Sequence, residues 1–349
     1  MQKKGTIKQI RGWLSSREDQ APEPGGQDVK ELRQRLAEKN GRIRQMSEQL
    51  KTNRLEATRL DDLHRQQLAE KDETISGLKA RLYDVSSGKG PDEGRGSGEI
   101  SEDRASALYL DLMKRSLTNW IYRDEGELYQ REPKPFEDLV REEGRDWPLN
   151  AHTMVGLKRL DNLQFCVEDV IANRVPGDLI ETGVWRGGAT ILMRAVLKAH
   201  GVEDRRVWVV DSFEGMPAPD PENYPHDARF EHFAHQLAVS LEEVKDNFDR
   251  YGLLDGQVRF LKGWFRDTLP TAPIDKLAVV RLDGDWYEST MDGLENLYPK
   301  LSVGGYLIVD DYGCVPACRQ AVLDYREAHG ITDEIRSVDW TGVFWQRTE

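Results

Sequence analysis

The sequence predicts an α/β fold with a doubly wound sheet, preceded by an N-terminal coiled coil. Three observations carry that reading. Apolar runs of strand length alternate with helical patterns from residue 179 onward, and such alternation builds an open sheet with helices on both faces. Acidic residues stand where several of these strands end, and residues 29–85 repeat instead in heptads.

The 349 residues leave room for one large domain with an appendage, or for two domains. A hydrophobic content of 38% is low for a wholly globular chain, so part of the length is expected outside any core. A net charge of −13 argues against a general nucleic-acid binder. No apolar run reaches spanning length and no signal-peptide core is present, which predicts a soluble, cytoplasmic protein. Cys166, Cys314 and Cys318 form neither a disulfide framework nor a zinc pattern and read as buried thiols.

Residues 1–28 read as a flexible, basic terminus. Lys3, Lys4, Lys8 and Arg11 surround Ile7, Ile10, Trp13 and Leu14, with contact to an anionic membrane surface as the alternative to simple solvation. Pro22, Pro24, Gly25 and Gly26 break the chain. From Val29 one a/d seam holds Leu32, Leu36, Ile43, Met46, Leu50, Ala57 and Leu60, interrupted by Lys39 and Asn53. A second seam holds Leu68, Ile75, Leu78, Leu82 and Val85 with Lys71, offset as a four-residue stutter would offset it. So narrow an apolar stripe buries nothing alone, and a coiled coil joining copies of the chain is expected over residues 29–85. Residues 86–100, rich in Gly and Ser, read as a linker.

Residues 101–349 form the second domain, with a helical cap or lid over 101–175 and the sheet core over 176–349. In the cap, helices are predicted over Leu108–Tyr122 and Thr153–Asn173, separated by a polar, Pro-interrupted stretch to Pro148. Strands follow at Leu179–Val184, Val207–Val210, Val258–Leu261, Leu277–Leu282 and Tyr306–Val309. Helices at Gly188–Ala199, about Leu241–Tyr251, near Thr290–Leu301 and at Ala317–His329 connect them, and Glu334–Val338 and Gly342–Gln346 read as a closing pair of strands.

Ligands of an open parallel sheet bind beyond the carboxyl ends of its strands. There the fourth strand presents Asp283 and Asp285, and the fifth Asp310 and Asp311. If these strands are neighbours, four carboxylates converge and repel unless a cation sits among them. Oxygen-only ligands suit a hard ion such as Mg²⁺. On spacing alone, Asp283 and Asp285 are interchangeable as ligand and as base. The first strand turns through Glu181-Thr182-Gly183-Val184-Trp185-Arg186-Gly187-Gly188, which is not the dinucleotide fingerprint. An acid, then Gly183, then Gly187 is the spacing of S-adenosylmethionine enzymes: glycine admits a ligand close to the backbone, and the Glu181 carboxylate suits the ammonium of a methionine moiety. Asp211, ending the second strand, is placed to accept from two ribose hydroxyls. Gly263 and Trp264 close the third strand, where Trp264 stacks on adenine or belongs to the core.

From about Leu108 to the C-terminus the chain resembles the macrocin O-methyltransferase family of metal-dependent sugar O-methyltransferases. The resemblance rests on Leu110–Asn119, Thr153–Leu160, Glu181–Gly188, Asp211–Pro217, Gly263–Pro270, Leu282–Thr290 and Asp310–Tyr312. It implies a class I, Rossmann-like methyltransferase using S-adenosylmethionine and Mg²⁺, with Asp283, Asp310 and Asp311 on the metal and Asp285 as general base. It further implies that Glu181, Gly183, Gly187, Asp211, Ser212, Phe213, Gly263 and Trp264 bind the cofactor, with Thr153 and Met154 near its methionine end. The implied acceptor is a sugar hydroxyl of a glycoside, natural product or surface polysaccharide. A catechol-like acceptor, or a coiled-coil scaffold with a non-catalytic cofactor domain, are the alternatives. The coiled coil lies outside the resemblance and suggests a homo-oligomer tethered to a biosynthetic assembly. A peptide of residues 27–87 is expected to be helical by circular dichroism, with melting that depends on concentration; a monomeric, unfolded peptide would reduce it to a charged linker.

Overall fold

The computed structural model describes residues 102–127, 133–218, 220, 222, 224–227 and 237–349. These belong to the second of two units, Met1–Gly98 and Glu99–Glu349. The expected basic terminus, coiled coil and linker lie outside the described residues.

The second unit begins with α1 (Glu102–Leu117), followed by β1 (Gly126–Glu127), β2 (Pro133–Lys134), α2 (Asp138–Glu142) and β3 (Trp147–Pro148). The three short strands form a small antiparallel sheet in the order β2-β1-β3. Beside this sheet lies a buried ion cluster. The buried Arg141 guanidinium donates to Asp124 Oδ1 at 2.9 Å, to Asp146 Oδ2 at 2.9 Å and to the Thr118 carbonyl at 2.8 Å.

The rest is the α/β alternation: α3 (Leu157–Ala172), β4 (Asp178–Thr182), α4 (Gly188–Ala199), β5 (Val207–Asp211), α5 (Leu241–Arg250), β6 (Val258–Lys262), α6 (Phe265–Thr268) and β7 (Leu277–Leu282). It continues with α7 (Tyr287–Leu297), β8 (Leu301–Val309), α8 (Pro316–His329), β9 (Arg336–Ser337) and β10 (Val343–Gln346). The seven-stranded sheet runs β6-β5-β4-β7-β8-β10-β9. β4 to β8 are parallel, and β10 and β9 close the edge antiparallel. The chain starts this sheet at β4, builds outward to β6, and returns to lay β7 on the other side of β4. The strand order therefore reverses between β4 and β7, and this switch point is where an open α/β sheet leaves a crevice.

Every residue of β7 is buried, as a central strand covered on both faces requires. One face carries α1, α3, α4 and α5, whose Leu110, Leu163, Leu192 and Phe248 share a core with Val209 and Val279. The other carries α7 and α8, with Leu294, Leu297, Val322 and Tyr325 against Val280 and Leu307. Much of the segment expected as a cap is thus a layer of the core, since α3 packs directly on β7 and β8.

Three boundaries differ from the sequence expectation for physical reasons. α3 starts at Leu157 rather than Thr153, leaving residues 153–156 outside the helix with Gly156 extended. β8 starts at Leu301 rather than Tyr306: it runs through Gly304 and Gly305, where a Cβ on Gly305 would lie 2.7 Å from the Ala278 carbonyl of β7. α7 starts at Tyr287 rather than Thr290, because buried Asp227, from the insert after β5, accepts the backbone N–H of Tyr287 at 2.7 Å and of Glu288 at 3.1 Å. That is an N-cap supplied from 60 residues away, which no local pattern announces.

Because Arg141 is buried among its acids, Arg141→Met is expected to destabilise the unit by about 3–5 kcal/mol in urea unfolding, through the carboxylates left unpaired. An unchanged midpoint would mean that the small sheet contributes nothing to global stability.

Candidate active site

The site is built where β4 and β7 end side by side. Gly183 follows β4 at φ +81°, and a Cβ there would fall 1.7 Å from the Asp283 carbonyl oxygen. No side chain fits between the two strand ends. The turn is fastened from three sides. Asp211, ending β5, accepts the Val184 N–H at 2.8 Å and the Phe213 N–H at 2.7 Å. Arg186 donates to the carbonyls of Leu149 at 2.9 Å and Ala151 at 2.8 Å. The Gly188 N–H donates to the His152 carbonyl at 2.9 Å. These bonds hold residues 148–152 against the turn and deliver Thr153 and Met154 to the cavity beyond it.

That cavity, of about 180 Å³, is lined by Glu181, Gly183, Asp211, Ser212 and Trp264 and by Asp283, Asp285, Asp310 and Asp311, with Thr153 and Met154 also in its lining. Three expected cofactor residues are absent from its walls. Phe213 turns its side chain into the apolar core. Gly187 serves packing, since a Cβ there would sit 2.9 Å from Val244 of α5. Gly263, at φ +142°, shapes the turn into Trp264. Asp211 also differs from expectation in part, because both its oxygens already accept backbone N–H groups; each keeps a lone pair for a further donor. Burial raises its pKa against the pull of those N–H donors.

The acids meet beyond β7 and β8. Asp283, Asp310 and Asp311 each bring a carboxylate oxygen within 4.8 Å of the other two. Two buried arginines, unremarked in the sequence reading, organise them. Arg281, on β7 itself, donates to Glu181, to Asp310 and to Asp283, the last at 2.7 Å. Arg159, from α3, donates to Asp310 and pairs with Asp339 at 3.0 Å. Arg281 had a signal, being the one charge in the otherwise apolar Leu277–Leu282 run. Arg159 had none, since a helical arginine ordinarily faces water.

Charge remains unbalanced. Five carboxylates at the strand ends (Glu181, Asp283, Asp285, Asp310, Asp311) face two guanidiniums (Arg159, Arg281), one of which, Arg159, also pairs with Asp339. The two arginines hold the Asp310 carboxyl below its ordinary range against its burial. Asp283 is raised by burial and by Asp310, and Asp311 well raised by burial and by Asp285. Asp285 stands apart from the three-acid set. Its backbone is left-handed, at φ +56°, its N–H donates to Asp311 Oδ2 at 3.2 Å, and burial with the charges of Asp283 and Asp310 raises its carboxyl to about 7. Glu181, fully buried, is pushed up to about 8, and its Oε2 has no hydrogen-bond partner.

The residues fit a hard divalent cation among the three acids, because the donors are all oxygen and the two arginines relieve their repulsion only in part, leaving Asp283 and Asp311 raised. Both oxygens of Asp310 already engage arginines, so a cation would share that carboxylate with them. The orphaned Glu181 oxygen fits a cationic amine. Cys314 also lines the cavity, only half-buried, rather than lying in the core as expected; Cys166 and Cys318 are buried thiols.

The family description "Macrocin-O-methyltransferase (TylF)" matches residues 106–347. The chain belongs to this family. It is an O-methyltransferase, with the methyltransferase fold. A Streptomyces olivaceus protein named 8-demethyl-8-(2,3-dimethoxy-alpha-L-rhamnosyl)-tetracenomycin-C 4'-O-methyltransferase is 61% identical over 254 residues, covering 71% of this chain and 95% of that protein. Mycinamicin III 3''-O-methyltransferase of Micromonospora griseorubida is 54% identical over 254 residues, 71% of this chain and 100% of that protein. The solved O-methyltransferase NovP superposes with a TM-score of 0.67 at 58% identity, covering 70% of this chain and 100% of its own. Residues 1–98 lie outside the family match. Among the described residues no helix is long and apolar enough to cross a membrane.

The raised acids set a pH dependence of stability. Glu181 at about 8, and Asp285 and Asp292 at about 7, bind protons more tightly folded than their ordinary values of 4.5 and 3.8 allow unfolded. The folded state therefore holds the extra protons, and stability falls as pH rises from about 4 to about 8. Thermal unfolding in chelator is expected to show Tm decreasing across this window; a rising Tm would mean the acids are compensated within the chain.

Proposed function

We propose that this protein transfers a methyl group from S-adenosylmethionine to a sugar hydroxyl of a glycosylated small molecule or glycan, with Mg²⁺ at the acid cluster. The observation that carries the reading is the convergence of Asp283, Asp310 and Asp311 within 4.8 Å, with Asp285 beside them and the Glu181–Gly183 turn on the adjoining strand. The relatives add weight: one is named for a rhamnosyl-bearing compound and another for mycinamicin III. The chain covers nearly the full length of both.

When bound by Asp283, Asp310 and Asp311, a divalent ion supplies Lewis acidity that lowers the pKa of an acceptor hydroxyl. S-adenosylmethionine supplies an electrophilic methyl group on a sulfonium. The chain's residues do the remainder. Glu181 Oε2, buried and unpartnered, accepts from the ammonium of the methionine moiety, and Thr153 and Met154 close that end. The Gly183 turn admits the cofactor to the backbone. Asp211 uses its remaining lone pairs on the ribose, beside Ser212, and Trp264 offers its face to the base. Asp285 takes the acceptor proton at a carboxylate oxygen whose basicity its acidic neighbours have raised. Such a base contributes on the order of 10²–10⁴-fold. Holding acceptor and methyl in line contributes up to roughly 7–11 kcal/mol. Arg281 and Arg159 fix the positions of Glu181, Asp283 and Asp310 by ion pairs. The heptad segment 29–85 would join copies of the enzyme and hold it to a cytoplasmic biosynthetic assembly.

Chelation is expected to abolish turnover on a deoxysugar glycoside and added Mg²⁺ to restore it; full activity in metal-free buffer would remove the metal from the mechanism. Asp285→Asn should lower kcat by about 10²–10⁴-fold with little change in affinity for S-adenosylmethionine, whereas Glu181→Ala should weaken that affinity. If the two variants lose the same quantity, the division of roles between Asp285 and Glu181 is wrong.

A further inference from the structure

The cavity has a second polar wall, separate from the five carboxylates. Glu288 and Asp292, one turn apart on α7, and Arg266 on α6 line it beside Trp264 and Phe265. Glu288 is held from two sides. Its backbone N–H donates to Asp227 Oδ2 at 3.1 Å, and its Oε1 accepts from Arg266 Nη1 at 3.1 Å. The side chain is only 8% exposed, yet Oε2 is buried with no hydrogen-bond partner. Buried carboxylate oxygens are ordinarily paired, and one left over in a cavity wall marks the place of a donor that the chain does not supply.

The sheet order says which donor. β6, β5 and β4 are neighbours, and their carboxyl ends present Trp264, Asp211 and the Glu181–Gly183 turn in a row. On the cofactor reading, a methyl donor built on a nucleoside would have its amino-acid end at Glu181 and its ribose at Asp211, which would bring its base to Trp264. The flat faces of Trp264 and Phe265 suit the base, and the free oxygen of Glu288 suits an amino group on the base's edge. We infer that Glu288 accepts a hydrogen bond from the exocyclic amino group of the cofactor's adenine, and so selects an adenine nucleoside over its 6-oxo counterpart. The inference rests on the cofactor reading above. A carbonyl in place of the amino group would set two acceptors against each other, which a built polar site rejects strongly.

Isothermal titration of the full-length protein with S-adenosylhomocysteine and with S-inosylhomocysteine tests this. The wild-type protein is expected to prefer the adenine form by about tenfold or more. In Glu288→Gln, whose amide both donates and accepts, the two affinities should come within about threefold. Equal wild-type affinity for the two nucleosides overturns the inference without any variant. A Glu288→Gln protein that is folded by circular dichroism and keeps the full preference overturns it as well. If that substitution raises only the KM of the acceptor, the oxygen belongs to the acceptor's subsite and the inference falls. Wild-type protein that binds neither nucleoside refutes the cofactor reading itself, a distinguishable result.

Discussion

Arg281 lies in the buried strand β7, and its guanidinium donates to Glu181 of β4, to Asp283 beyond its own strand and to Asp310 beyond β8. Three adjacent strands are thereby tied at their carboxyl ends by one side chain. A charge buried this deeply is tolerable only when its partners are present, and removing a partner from such a group typically costs about 3–5 kcal/mol. The acids and the arginine depend on each other: without Arg281 the carboxylates repel, and without them the guanidinium is stranded. Arg159 repeats the device from the helical layer, joining α3 to Asp310 and Asp339.

The balance is deliberately incomplete in charge. Two guanidiniums cannot neutralise five carboxylates, and the raised values at Glu181, Asp283, Asp285 and Asp311 express the remainder. A fold optimised only for stability would replace such a cluster with apolar side chains at no loss. On the proposed reading the excess has a use, because a bound divalent ion or a sulfonium would relieve it. The left-handed backbone of Asp285 belongs to the same economy of position: strain at a non-glycine residue concentrates at functional sites, and here it sets one acid apart from the three that converge.

Around this centre the chain supplies walls by long-range ties. Asp211 binds the β4 turn to β5, Arg186 binds the segment before Thr153 to the same turn, and Asp227 caps α7 from within the insert. Trp340, carried just before β10, lines the cavity and donates its indole N–H to the Glu143 carbonyl at 2.8 Å, while Thr341 donates to the Asp310 carbonyl at 2.9 Å. The connection between the closing antiparallel strands thus also reaches the site.

Strand–helix alternation, and the acids that end β4, β5, β7 and β8, were legible in the amino-acid sequence by itself, because strand period and strand-end chemistry are local. So were the Gly183 turn and the family, since these rest on residues close in the chain. What only the tertiary structure decided is which of those residues touch. The placement of β7 beside β4, a consequence of strand order, brings Glu181 within reach of Arg281 and makes one site of two motifs 100 residues apart. Phe213 stands in a motif that reads as a cofactor contact, yet its side chain packs into the apolar core, and Gly187 lies against the Val244 side chain. Arg159 reads as a surface residue until α3 is laid over β8. Neighbours in sequence constrain the backbone, but charge compensation and burial belong to neighbours in space.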